Sequence, residues 1–203
     1  MPLPGLMGNS RIGLGLAAIG RPAYITVGRT GDLGDGADRT IDGMRQKAYG
    51  LLDSAWNLGL RYFDAARSYG RAEQFLGTWL ALHPCRRSKL TIGSKWGYEY
   101  IGDWKIEALV HERKEHSLAM LNRQWQETRE ALGSLPDVYL IHSLTPDSSA
   151  LTDGALLERL REITQLGVRV GFSTSGPRQS DVIRAAMGLP DSPFNAVQAT
   201  WNV

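Results

Sequence analysis

Arg61-Tyr62-Phe63-Asp64-Ala65-Ala66-Arg67-Ser68-Tyr69-Gly70 is an aromatic pair followed at once by polar groups. Tyr62 and Phe63 suit a short buried strand, which delivers a carboxylate at Asp64 and a phenol at Tyr69 into the next loop. Loops that leave strand ends are where α/β folds keep their chemistry. Two later runs finish in the same manner: Lys95 closes Leu90-Thr91-Ile92-Gly93-Ser94-Lys95, and His142 follows Val138-Tyr139-Leu140-Ile141. Three strand ends therefore bring Asp64, Tyr69, Lys95 and His142 to one rim of one sheet.

Upstream, Ile12 to Ile19 is an apolar, glycine-punctuated run expected as a strand, leading into a loop with Gly28, Gly31, Gly34 and Gly36. A helix follows Thr40, with Ile41, Met44, Ala48, Leu51, Leu52 and Ala55 on one face and Gly59 as its stop. Downstream, a helix over 71–82 groups Ala72, Phe75, Leu76, Trp79 and Leu80. After Lys95 comes a loop of roughly twenty residues with Trp96, Tyr98, Tyr100 and Trp104, long against the usual ~2 to 6 and expected as a lid or binding wall. A helix from near Ser117 carries the stripe Leu118, Leu121, Trp125, Thr128 and Leu132, with Gly133 past its end. The strand Val138–Ile141, a helix through Leu156, Leu160 and Ile163, and the strand Val168–Phe172 follow. Pro177 is expected to open the next helix, which carries Val182, Ile183, Ala186 and Met187, and a last strand runs over 195–201.

Strand and helix thus alternate about every thirty residues, which implies a parallel sheet with crossover helices. No repeat or linker interrupts it, so residues 1–203 read as a single domain. Two closures fit this spacing: a doubly wound open sheet, or a (β/α)8 barrel with six of its eight strands present.

Composition excludes several classes. With 203 residues and 42% hydrophobic content the chain can bury one core, and a net charge of +2 with scattered basic residues gives no footprint for nucleic acid or an anionic membrane. One cysteine, Cys85, rules out an internal disulfide framework and fits a reducing compartment. Pro2, Pro4, Gly5, Gly8 and Arg11 precede any apolar run, so the N-terminus lacks the form of a signal peptide, and no stretch approaches the ~20 apolar residues of a membrane span. A soluble cytoplasmic protein is the expectation.

Three motifs fail on inspection. Gly13-Leu14-Gly15-Leu16-Ala17-Ala18 resembles a dinucleotide fingerprint, but Gly20 and Pro22 interrupt the helix it requires. His111, Glu112 and His116 resemble a zinc-protease helix, yet the histidines are five apart where one-face ligation needs four, so a solvated, charged approach to the following helix is expected. Ser175 occupies the second glycine position of a hydrolase elbow in Gly171-Phe172-Ser173-Thr174-Ser175-Gly176. No metal set or P-loop is present. Each of Asp64, Tyr69, Lys95 and His142 taken singly has an ordinary explanation as cap, packing or surface residue. Their convergence from three strands on one rim does not.

At this point the sequence resembles the aldo-keto reductase family. The likeness rests on Tyr62 to Gly70, Ile92-Gly93-Ser94-Lys95, Tyr139-Leu140-Ile141-His142, Gly171-Phe172-Ser173, and Val197-Gln198 with Trp201-Asn202, in the family's order over nearly the whole chain. It implies a (β/α)8 barrel binding a nicotinamide cofactor, NADP with NAD as the alternative, at its C-terminal rim. Asp64, Tyr69, Lys95 and His142 would form the catalytic tetrad. Ser173, Thr174 and Gln198 would bind cofactor, with Thr174 standing where the family usually has Asn. Trp96, Tyr98 and Trp201 would line the substrate pocket. The family's last two strands and its segment for the cofactor's phosphates have no counterpart, which implies a truncated or split member that binds cofactor poorly alone and pairs with itself or a complementing C-terminal fragment.

The residues make chemical sense of that likeness. Hydride addition to a carbonyl develops negative charge on oxygen, so the site needs a proton donor and electrostatic help. Tyr69 would donate, Lys95 would favour its phenolate, Asp64 would hold Lys95, and His142 would orient the carbonyl. The expected function is nicotinamide-dependent interconversion of an aldehyde or ketone with an alcohol or sugar. A catalytically impaired binding subunit of the same fold, and a Schiff-base lyase using Lys95, stand as alternatives.

Overall fold

The order of the strands separates the two closures that spacing leaves open. In a computed structural model, which describes residues 11–23 and 36–201, the chain begins β1 (Leu14–Gly15), α1 (Ile41–Asn57), β2 (Tyr62–Asp64), α2 (Ala72–Leu82), α3 (Pro84–Arg87) and β3 (Thr91–Trp96). It continues β4 (Tyr98–Tyr100), β5 (Glu112–Lys114), α4 (Leu118–Leu132), β6 (Val138–Ile141), α5 (Gly154–Gln165), β7 (Arg169–Thr174), α6 (Gln179–Met187) and β8 (Ala196–Ala199). The main sheet runs β1-β2-β3-β6-β7-β8, every pair parallel. A doubly wound sheet reverses its strand order part-way. Here the order follows the chain throughout, so the sheet is six staves of a (β/α)8 barrel, curled into a half-barrel with helices outside.

Strand alternation sorts the side chains. Phe63, Ile92, Tyr139, Ile141, Val170 and Phe172 point outward into two buried layers, one under α1 and α2 and one under α4, α5 and α6. Tyr62, Asp64, Gly93 and Lys95 share the inner face, where Tyr62, Val138, Leu140 and Ala196–Ala199 line a cleft of about 370 Å³. Side-chain caps fix the helix starts: Thr40 accepts from Gly43, Ser117 from Met120 and Asp153 from Leu156, each worth about 1 kcal/mol. Gly133, at φ 68°, ends α4 in the left-handed region that suits glycine.

Several expectations need correction. The Ile12–Ile19 strand is only Leu14–Gly15, because the amides of Ile19 and Gly20 turn back to the Leu16 carbonyl. Gly28, Gly31 and Gly34 lie outside the described residues. Pro177 does not open α6, whose cap is Arg178. The long loop after β3 holds the antiparallel hairpin β4–β5, with Tyr98 opposite Lys114 and Tyr100 opposite Glu112. His111 and Glu112 therefore approach α4 on a hairpin, and Glu112 pairs with the buried guanidinium of Arg21. His116 is buried too.

Candidate active site

Register places the polar groups of β2 and β3 side by side. Asp64 pairs with Gly93 across β2 and β3, and Lys95 follows two residues later on the same face. With no side chain on Gly93, the Lys95 ammonium reaches the Asp64 carboxylate; an added Cβ there would lie 3.1 Å from Asp64 Oδ1. Lys95 Nζ also donates to the Ala65 carbonyl at 3.2 Å and to Tyr69 Oη at 3.4 Å. Burial lowers the Lys95 pKa from the usual amine range, while Asp64 and then Glu73 favour the charged form. From below, Tyr62 Oη donates to Asp64 Oδ1 at 3.2 Å, and burial followed by the Asp64 charge raises the Tyr62 pKa, keeping it a neutral donor.

His142 enters from the end of β6. Its backbone is fixed at both ends, since its amide donates to the Trp96 carbonyl at 2.8 Å and its carbonyl accepts from His116 Nε2 at 2.9 Å. A carbonyl only accepts, so His116 carries its proton on Nε2 and its Nδ1 accepts from Ser148 Oγ at 2.8 Å. Burial, with Lys114 adding repulsion, lowers the His116 pKa to about 4. The His142 pKa is lowered to about 3, by burial first and then by the charge of Lys95. Its ring meets Tyr69 edge-on at 5.5 Å and Tyr98 at 5.0 Å between centroids.

The loop that carries Tyr69 is held from two sides. Gly20 lies against it so closely that a Cβ would be 2.0 Å from the Tyr69 carbonyl, and the Gly20 carbonyl accepts from the Arg71 amide. Arg21 donates to the Ser68 carbonyl at 3.3 Å while pairing with Glu112 on the hairpin. On the other flank the buried Glu73 joins Arg67 to Ser94, the neighbour of Lys95. Sequence reasoning missed Tyr62, Ser68, Glu73 and His116. Glu73 did leave a signal, because it falls on the same helical face as Leu76, three residues on.

This arrangement can be set beside known proteins. The aldo/keto reductase family model matches residues 30–203. The chain belongs to the aldo/keto reductase family. An aldo-keto reductase of Gibberella moniliformis is 29% identical over 119 residues, which is 58% of this chain and 34% of that protein. Among solved structures, a protein from Pseudomonas aeruginosa assigned as an aldo-keto reductase superposes with a TM-score of 0.67 and 22% identity, covering 97% of this chain and 67% of its own. Glycerol dehydrogenase of Gluconobacter oxydans gives a TM-score of 0.61 and 22% identity, over 98% and 54%. The chain thus spans about a third of the fungal relative's length, and two thirds or less of these structures.

The remaining expected site residues divide. Ser173 and Gln198 stand opposite each other on β7 and β8. Ser173 Oγ accepts from the Ser143 amide at 2.8 Å, which leaves its proton to give, and the Gln198 amide has no partner among the described residues. Thr174 is different: alternation turns it to the other face, where it donates to the Leu144 carbonyl at 3.1 Å, so it fastens a loop and is not an open donor. Trp96 is also corrected. It follows Lys95 and so faces outward, fully buried in the layer containing Met120 and Leu121. Tyr98 lies over His142, and Trp201 is exposed just past β8.

Proposed function

We propose that this chain carries the active site of a nicotinamide-dependent reductase interconverting an aldehyde or ketone with the corresponding alcohol or sugar. The observation that carries the reading is that one buried ammonium, Lys95, touches both the Asp64 carboxylate and the Tyr69 hydroxyl. Membership of the family supports it.

A bound nicotinamide, NADP or NAD, would supply the hydride to the carbonyl carbon. Tyr69 Oη would pass its proton to the carbonyl oxygen as negative charge develops there, and Lys95 would stabilise the phenolate left behind. Asp64, held by Tyr62, keeps the ammonium in place. His142 would donate from Nε2 to the same oxygen and fix the carbonyl's angle. The free proton of Ser173 and the unpaired amide of Gln198 suit a carboxamide, so the residues present fit the ring end of the cofactor. Tyr98 and Trp201 would flank the substrate.

The lyase alternative loses ground on geometry. All three hydrogens of the Lys95 ammonium have an acceptor, and a nucleophilic amine needs a free lone pair. The binding-subunit alternative keeps one supporting observation: Gln198 lies on β8, an edge strand among the described residues, so the cradle beyond it needs another segment or a second copy.

The test is Tyr69→Phe, assayed with NADPH and a panel of small aldehydes and sugars beside cofactor binding by fluorescence. Rate should fall by roughly 10² or more, in line with loss of a general acid, with binding unchanged. No turnover in either protein, with cofactor still bound, favours the binding subunit.

A further inference from the structure

Ser68 sits beside Tyr69 and is fully buried, yet the chemistry above makes no use of it. Its Oγ lies 3.3 Å from His142 Nδ1 and has no other partner among the described residues. Two arrangements are possible across that contact. If Nδ1 carried the proton and donated to Ser68, the serine's own proton would be left buried with no acceptor. If Ser68 donates to Nδ1, the remaining proton sits on Nε2 of a half-buried ring instead of on a fully buried hydroxyl, and buried donors are rarely left unpaired.

We infer that Ser68 is a positioning residue that holds His142 in the Nε2–H tautomer, so that His142 presents a donor to the substrate oxygen. Both backbone groups of His142 are already bonded, to Trp96 and His116, so the ring's setting depends on its side-chain contacts. Nε2 has no partner among the described residues, and His142 itself is half-buried. The low His142 pKa agrees, because a neutral ring donates from one nitrogen only and the tautomer then decides which. Ser68 is itself kept in place by Arg21, which takes its carbonyl while gripping Glu112 on the hairpin. The catalytic consequence rests on the reductase reading, but the tautomer does not.

The experiment is two-armed. Nitrogen-15 NMR of the imidazoles in the full chain, with His142 assigned by comparison with His142→Gln, is read for the wild type, Ser68→Ala and Ser68→Thr; there are four histidines to resolve. The expected result is a proton on Nε2 alone in the wild type and in Ser68→Thr, and a mixture of tautomers in Ser68→Ala. In the kinetic arm Ser68→Ala lowers kcat by roughly threefold to tenfold, the equivalent of one neutral hydrogen bond, with cofactor affinity unchanged and no further loss in a His142→Gln background. A wild-type proton on Nδ1, or identical His142 spectra for the wild type and Ser68→Ala, overturns the assignment. If no turnover is found with any carbonyl, the reductase reading fails while the spectra still decide the role of Ser68.

Discussion

Lys95 Nζ lies 3.4 Å from Tyr69 Oη while the same ammonium is bonded to the Asp64 carboxylate. The pair costs desolvation energy that only mutual attraction offsets, so removing one partner and removing both have different consequences. Asp64→Asn strands a buried ammonium and should destabilise the fold by about 3 kcal/mol or more. Adding Lys95→Met should restore most of that stability, since an apolar side chain of similar length suits the buried position, yet activity should remain lost. Urea unfolding and NADPH oxidation on the single and double variants check both halves. Stability that does not recover in the double variant would mean that the pair is worth more than its desolvation.

Acid should loosen the fold through the histidines. The folded pKa values of His116 and His142 are lowered, to about 4 and about 3 against a usual 6.5. Between pH 6.5 and 4 the unfolded chain therefore binds more protons than the folded one, and stability, full above 6.5, falls as pH drops. Each histidine adds a slope approaching about 1.4 kcal/mol per pH unit. His116→Gln offers an amide to the His142 carbonyl and an acceptor to Ser148, but does not titrate. Unfolding free energies from pH 4.5 to 7 should show a shallower fall in His116→Gln, by about one proton. Parallel curves would place the acid sensitivity elsewhere.

Glu73 and Glu127 both bind Arg67, but the Glu73 side chain is 2% exposed and that of Glu127 33% exposed. Burial, not ion-pair count, should decide their worth. Glu73→Gln should cost about 3 kcal/mol, because the charge-assisted bonds to Arg67 and Ser94 are weakened where water cannot substitute. Glu127→Gln should cost about 0 to 1 kcal/mol. Denaturant midpoints that fall equally for both variants would contradict this.

Much of this was legible in the residues. The stripe from Leu118 to Leu132, bracketed by Ser117 and Gly133, specifies α4 locally, and the apolar run Val138–Ile141 coincides with β6. Local signals fade where partners are distant. The strands of β4–β5 are three residues each, too short to show alternation, and long-range pairs such as Arg21 with Glu112 and Arg123 with Glu99 hold the hairpin. Trp96 is expected in the loop after Lys95, but β3 runs one residue further, and alternation from the inward Lys95 then turns it outward. The contact of Ser68 with His142 joins residues 74 apart, and no spacing rule could reveal it.

Gly20 offers a way to move Tyr69 without touching it. An alanine Cβ at Gly20 would meet the Tyr69 carbonyl at 2.0 Å and the Ala72 Cβ at 2.6 Å. The first of these is backbone and cannot swing aside, so the loop itself must shift. At Gly15, on the neighbouring strand, nothing lies within 4 Å of the added carbon, which makes Gly15→Ala the matched control. Overpacking at Gly20 should cost about 1 to 3 kcal/mol of stability. The catalytic cost should be larger in proportion, on the order of 10² in kcat, because a displacement of about 1 Å removes Tyr69 from reach of both Lys95 and the carbonyl oxygen. Gly15→Ala should leave both quantities near the wild type. Rates compared at a temperature where each variant is fully folded distinguish displacement from unfolding; a Gly20→Ala protein that is folded and fully active would show that the loop does not depend on this contact.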